Sequence, residues 1–281
     1  MYAAIHLEGM SSLVTRNTNG AINVWVYNDE MECIREYEDE SPHSNCHKSL
    51  SISPNGKYMM SVHLEYALMW DLVNDKYLGK LDPCNYVAMS NNYIALSGYC
   101  QISIYNYNRE KIATLGGHNR MIRSIKFSSD GSKLVSCCNE RVNIWDITSY
   151  YPYPVIAREN PSVRLLENAN GFDVAWCGRH IIAMLGAAEK GVWDSITGSL
   201  VTSLGIGLIY AAASSTDNAR IAIAEYGHIK TYLSSNWEQE YVLECFVTSC
   251  ITADLSFSSD GKLLASIYGD NSYLEHEKWF M

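Results

Sequence analysis

No stretch of this 281-residue chain holds the ~20 consecutive apolar residues that a membrane-crossing helix needs. The best run, IIAMLGAA at 181–188, falls far short. The first ten residues, MYAAIHLEGM, lack the basic start and long apolar stretch of a secretion signal. Basic residues are scarce, 21 against 31 acidic ones, for a formal charge of −10. That balance argues against general binding to nucleic-acid phosphates, which takes clustered Lys and Arg. It leaves a basic protein partner open. Helical periodicity is nearly absent. The nine cysteines, an odd number, sit mostly inside apolar runs, as at Cys137 and Cys138. Such spacing suits buried, reduced thiols rather than a disulfide framework. The expectation is a cytoplasmic or nuclear protein with no membrane association.

What is present is a repeat. FSSDGSKLVSCCNERVNIWDI at 127–147 reads as strand, turn, strand, turn, strand. Its opening returns as FSSDGKLLASIYGDN from residue 257, and SPNG at 53–56 is a third version. These copies are spaced by whole multiples of roughly 40 residues, the period of a four-stranded propeller blade. Seven units can be traced, each with up to four short strands. In the fourth unit the last strand is expected at 153–159. The seventh reaches only its third strand, NSYLEHEKWFM, which ends the sequence. One domain over 1–281 is the expectation.

The chain resembles the WD-repeat β-propeller family. Trp70-Asp71, Trp145-Asp146 and Trp193-Asp194 match the signature pair at the end of the third strand, and Trp25-Val26 and Tyr105-Asn106 hold the same place in weaker form. Gly117-His118 matches the Gly-His element before a blade's first strand. The resemblance implies an all-β propeller of four-stranded antiparallel blades; the unit count gives seven of them, and blade seven is expected to be three-stranded. It also implies a buried hydrogen-bonded chain through His118, Ser136, Asn139 and Trp145. Asn139 replaces the usual Asp, so a charge-assisted bond is lost there.

No catalytic constellation emerges. His118 reads as a buried bracing histidine rather than a base. His43, Cys46 and His47 lack the second cluster that a zinc site takes. Gly205 and Gly207 form a bare Gly-x-Gly, not a phosphate loop opening a helix. Cys137 and Cys138 have no nearby His to activate a thiolate. No enzyme activity, metal or cofactor is expected.

Three stretches could carry recognition. Residues 29–40, DEMECIREYEDE, hold seven carboxylates, among them Glu36, Glu38, Asp39 and Glu40, against Arg35. They read either as an outer strand whose charges discourage edge pairing or as a dock for a basic segment. Residues 149–173 gather Tyr150, Tyr151 and Tyr153, then Arg164, Leu165 and Leu166, which are expected on the inter-blade loop face. The edge near Trp279 and Phe280 would be open to strand addition. The resulting expectation is a protein-interaction scaffold within a larger complex. Its rivals are a peptide or modified-peptide reader, such as a substrate-recognition arm of a ubiquitin ligase, and, less favoured, a propeller enzyme.

Overall fold

A computed structural model describes residues 5–7, 12–16, 21–28, 30–37, 50–63, 66–148, 163–166, 169–244, 251–258 and 261–269. Among the described residues the regular elements are strands. Blade one comprises β1 (Ile5–Leu7), β2 (Ser12–Arg16), β3 (Ile22–Asn28) and β4 (Glu30–Tyr37). Blade two comprises β5 (Leu50–Ile52), β6 (Tyr58–Val62), β7 (Ala67–Asp71) and β8 (Lys76–Leu81). Blade three comprises β9 (Tyr86–Met89), β10 (Ile94–Ser97), β11 (Gln101–Tyr105) and β12 (Lys111–Gly116). Blade four comprises β13 (Ser124–Phe127), β14 (Lys133–Cys137), β15 (Val142–Asp146) and β16 (Val163–Leu165). Blade five comprises β17 (Ala169–Cys177), β18 (His180–Leu185), β19 (Glu189–Asp194) and β20 (Leu200–Ile206). Blade six comprises β21 (Ala211–Ser214), β22 (Arg220–Glu225), β23 (His228–Leu233) and β24 (Gln239–Glu244). A hairpin, β25 (Ile251–Phe257) with β26 (Leu264–Gly269), follows.

All pairings are antiparallel and sequential, and the six blades are four-stranded. The expected count of seven is therefore corrected to six. The seventh repeat contributes only the two-stranded β25–β26 sheet among the described residues. That hairpin keeps the Ser turn of the repeat, and β25 lies against β21 on one side and β1 on the other. The expected third strand around Tyr273–Phe280 lies outside the described residues.

Burial explains the stacking. The third strand of blade two is buried along its whole length, whereas outer strands such as β20 are mostly exposed. A sheet buried on both faces must be sandwiched, and the apolar clusters each span two neighbouring sheets. One joins Met60 and Met69 of blade two to Val87, Ile94 and Leu96 of blade three. Another joins Ile104 and Leu115 of blade three to Leu134 and Trp145 of blade four. A third joins Val135 and Val142 to Val174 and Trp193 of blade five.

The turns are written in the repeat. Ser53, Ser128, Ser215 and Ser258 each accept the backbone N–H five residues later, at 2.8–2.9 Å. Asn55, Asp130 and Asp217 accept the N–H two residues on. The following position has positive φ, which Gly56, Gly131 and Gly261 adopt without strain and Asn218 tolerates.

Candidate interaction face

Because strands alternate in direction, each blade's second-to-third hairpin and the connection to the next blade emerge on one face. Hydrogen bonds between these segments confirm it. Ile122 N–H donates to Tyr99 O at 2.9 Å, Gly171 N–H to Cys138 O at 3.1 Å, and Gly207 N–H to Ala188 O at 2.9 Å. Arg120 and Asn119 both donate to Glu140, each at 2.7 Å. Four large apolar or aromatic side chains are exposed here: Tyr99, Phe172, Ile206 and Tyr226, with Ile206 83% accessible. Arg123 lies over the Phe172 ring at 5.8 Å. Sequence reading missed all five, although each lies in or beside a loop between predicted strands.

Register aligns the inner strands around the channel. Tyr86, Ser124, Ala211 and Asp254 occupy equivalent heights in β9, β13, β21 and β25, and Asp173 lies in the irregular stretch of β17 between Asn170 and Ala175. Below that level Lys126 shares its field with Asp173 and Asp254. Burial works against the Lys126 ammonium, but Asp173 and Asp254 outweigh it and raise its pKa. The Asp254 carboxyl is pushed up to about 6 by burial, with Lys126 opposing and Asp173 adding to the rise. Asp173 is held by the Ala212 N–H at 2.9 Å.

A second charged group sits between blades five and six. Lys190, fully buried, pairs with Glu225 and also donates to Ile206 O at 3.3 Å. The other carboxylate oxygen of Glu225 takes Lys230 at 3.1 Å and His228 at 3.2 Å. Burial alone would raise the Glu225 pKa, but Lys190 and Lys230 hold it below the usual range. A side chain at Gly207 would run into this pair, its Cβ 2.7 Å from Glu225 Oε2.

Three of the residues expected to be structural meet in blade four. His118 Nε2 and Ser136 Oγ are 2.7 Å apart, and Trp145 Nε1 donates to Ser136 Oγ at 2.8 Å. Asn139 is exposed and takes no part, and His118 Nδ1 has no hydrogen-bond partner among the described residues. The expected four-membered chain is thus three-membered. The loss follows from the uncharged Asn, which cannot offset its desolvation as a carboxylate paired to His would. Burial, then Arg141, pushes His118 down to about 4, so it is neutral at pH 7. Gly117 is needed because a Cβ there would stand 3.1 Å from Trp145 Cη2. Blade one repeats the bond in a different form, Trp25 Nε1 donating to Thr15 Oγ1 at 2.8 Å. Trp70 instead packs between Tyr37 and Tyr77.

The signature Asp residues organise turns on the opposite face. Asp71 accepts from the N–H groups of Val73 and Asn74, Asp146 from that of Thr148, and Asp194 from those of Ile196 and Thr197. The Thr197 amide leads in pushing Asp194 down to about 2, against burial, and the Arg179 guanidinium adds to it. Trp193 is buried between blades four and five.

The recognition candidates disperse. Glu36 is exposed on β4, while Glu38, Asp39, Glu40, Tyr150, Tyr151, Tyr153, Trp279 and Phe280 lie outside the described residues. Blade four takes its outer strand from Val163–Leu165 rather than 153–159, with Arg164 opposite Ile144 and Leu165 opposite Asn143. Arg164 and Leu165 therefore belong to an outer strand, not to the inter-blade loop face. Leu166 is buried against Val142 and Ile144, as suits an apolar side chain that can reach the core between blades four and five. Among the described residues no cluster of three or more His, Cys, Asp or Glu could hold a metal. His43, Cys46 and His47 lie outside them. Cys137 and Cys138 are buried free thiols, and burial raises the Cys137 pKa well above its usual value.

Comparison with known proteins agrees with this architecture. The family described as "WD domain, G-beta repeat" matches residues 109–146, a stretch that includes Gly117-His118 and ends at Trp145-Asp146. The anaphase-promoting complex subunit cdc20 of Dictyostelium discoideum is 25% identical over 198 residues, 65% of this chain and 38% of that protein. The chain thus spans about two fifths of that relative's length. A crystal structure of RRP9 WD40 repeats superposes with a TM-score of 0.75 at 12% identity, over 98% of this chain and 89% of that one. A chain in the crystal structure of the mitotic checkpoint complex gives 0.68 at 17% identity, over 94% and 87%. At these identities the two structures show the fold alone.

Proposed function

We propose that this chain, a member of the WD-repeat β-propeller family, is a non-enzymatic scaffold subunit that docks partner proteins on its inter-blade loop face. One observation carries the reading: Tyr99, Phe172, Ile206 and Tyr226 stand exposed on that face, with Arg123 over the Phe172 ring. Aromatic and Arg side chains bring large contact area at low entropic cost and dominate interface energetics. Membership in a complex is supported by the relative named as a subunit of the anaphase-promoting complex and by the similar fold found in the mitotic checkpoint complex. Free thiols such as Cys84 and Cys137 fit a reducing, cytoplasmic or nuclear setting. The exposed carboxylates of β4, Glu32 and Glu36, favour a basic segment as one of the docked elements.

The test is affinity purification of the full chain from its native source, read by mass spectrometry. Tyr99→Ala, Phe172→Ala and Tyr226→Ala in one chain should lose partners that the wild type retains. An unchanged partner set would contradict the reading.

A second reading, capture of a basic peptide side chain in the channel, is favoured by two inner-strand carboxylates, Asp173 and Asp254, close enough to act on each other and on Lys126. Asp173→Asn with Asp254→Asn would weaken binding of a lysine-bearing peptide under that reading and leave loop-face partners untouched.

A further inference from the structure

Among the described residues the outer strand of each blade is an unpaired edge, and such an edge invites pairing unless charge or brevity discourages it. Five of the six outer strands carry such guards. β4 has Glu32, Arg35 and Glu36; β8 has Lys76 and Lys80; β12 has Lys111; β24 has Glu240 and Glu244; β16 is three residues long and includes Arg164. β20, LVTSLGI, is seven residues long and has no charged residue. It pairs with β19 on its inner side, Trp193 opposite Leu200, Val192 opposite Thr202 and Gly191 opposite Ser203. Among the described residues no strand pairs with its outer side. Leu200 and Val201 are 41% and 47% exposed. The Ser203 hydroxyl donates to Glu189 and accepts the Gly205 N–H at 3.1 Å, which pins the strand's far end.

We propose that β20 is a strand-addition site for an extended segment of a partner protein, rich in β-branched residues and flanked by basic ones. Main-chain hydrogen bonds would supply affinity, and the exposed side chains of Leu200 and Val201, adjacent at an irregularity in the β19 register, would select apolar or β-branched partners. A second copy of this chain is the wrong occupant, because two molecules each of formal charge −10 repel. Basic flanks on the partner follow from that same charge. This surface lies on the rim, apart from the loop face, and does not depend on the docking proposed there.

The probe is an eight-residue peptide of alternating threonine and valine with a lysine at each end. Its control carries proline in place of a central valine. Added to the full chain, the peptide should slow amide exchange at 200–204, and the proline control should not. Val201→Lys, which restores the guard seen on β8, should weaken binding by about tenfold or more, while Val201→Thr should preserve it. Circular dichroism identical to wild type would show that each variant is folded. The proposal is overturned by absent binding, by protection on another outer strand instead, or by equal affinity for the lysine variant. A concentration-dependent dimer protecting the same amides would overturn the choice of a foreign partner.

Discussion

Lys190 and Glu225 join blades five and six through an ion pair closed off from solvent. The two are not equivalent. Glu225 also holds Lys230 and His228, whereas among the described residues Lys190 pairs with Glu225 alone.

That asymmetry sets the order of two mutations. Glu225→Gln strands the fully buried Lys190 ammonium without a counter-charge, and breaking a buried pair in this way costs about 3–5 kcal/mol. Lys190→Met leaves Glu225 still paired with Lys230, so the loss should be clearly smaller. Urea unfolding midpoints of the two variants check the order. Equal losses would show that the pair adds nothing beyond its individual charges.

Two groups give opposite pH dependence in one window. His118 is depressed to about 4 in the folded chain, so the stability tied to its neutral form is present above the unfolded value of 6.5 and is lost as pH falls towards 4. His180, also lowered by burial, acts in the same direction. Asp254 is raised to about 6, so its contribution is present below 3.8 and is lost as pH rises through 6. Each effect is of order 2–3 kcal/mol, and the two offset. His180 and depressed carboxylates such as Asp194 and Glu225 add to the loss on acidification, so the wild type should melt lower as pH falls from 6.5 to 4. Asp254→Asn should fall more steeply than the wild type across that range, and His118→Gln less steeply. Thermal melts at four pH values suffice, and parallel profiles for all three proteins would contradict the assignment.

Gly191 leaves the space that the Trp193 ring fills. A Cβ at that position would lie 2.6 and 2.7 Å from two ring carbons and 2.9 Å from a methyl group of Leu200. Gly191→Ala should therefore cost about 1–3 kcal/mol through overpacking. Gly116→Ala, where a Cβ meets nothing within 4 Å, should be neutral. Chemical denaturation of the pair decides it, and a neutral Gly191→Ala would mean the ring has room to shift.

The parts of this protein legible in the sequence are those written locally. Ser128, Asp130 and Gly131 form their turn with one another, so SSDG could be read without knowing its neighbours. Trp145 and Ser136 sit on adjacent strands of one hairpin and were recognisable by spacing. What stayed hidden depends on packing between blades. Nothing near Lys190 in the chain foretells Glu225, and Asp173 and Asp254 meet only because the inner strands close into a ring. The outer strand of blade four was misplaced because VIA at 155–157 and VRL at 163–165 both have strand character, and pairing with β15 alone separates them. The blade count of seven rests on a seventh repeat of which only the β25–β26 hairpin is found among the described residues. Arg123 and Phe172 gave no signal because a stacked cation needs two neighbouring blades to bring it to its ring.

Docking on the loop face is the central claim, and hydrogen exchange on the native complex tests it most directly. The complex purified from the native source would be compared with the isolated chain, amide by amide. Protection on complex formation should concentrate at 98–100, 171–172, 206–207 and 226–227. Unchanged exchange there, with slowing confined to the opposite-face turns at 73–75, 130–132 and 196–198, would contradict it.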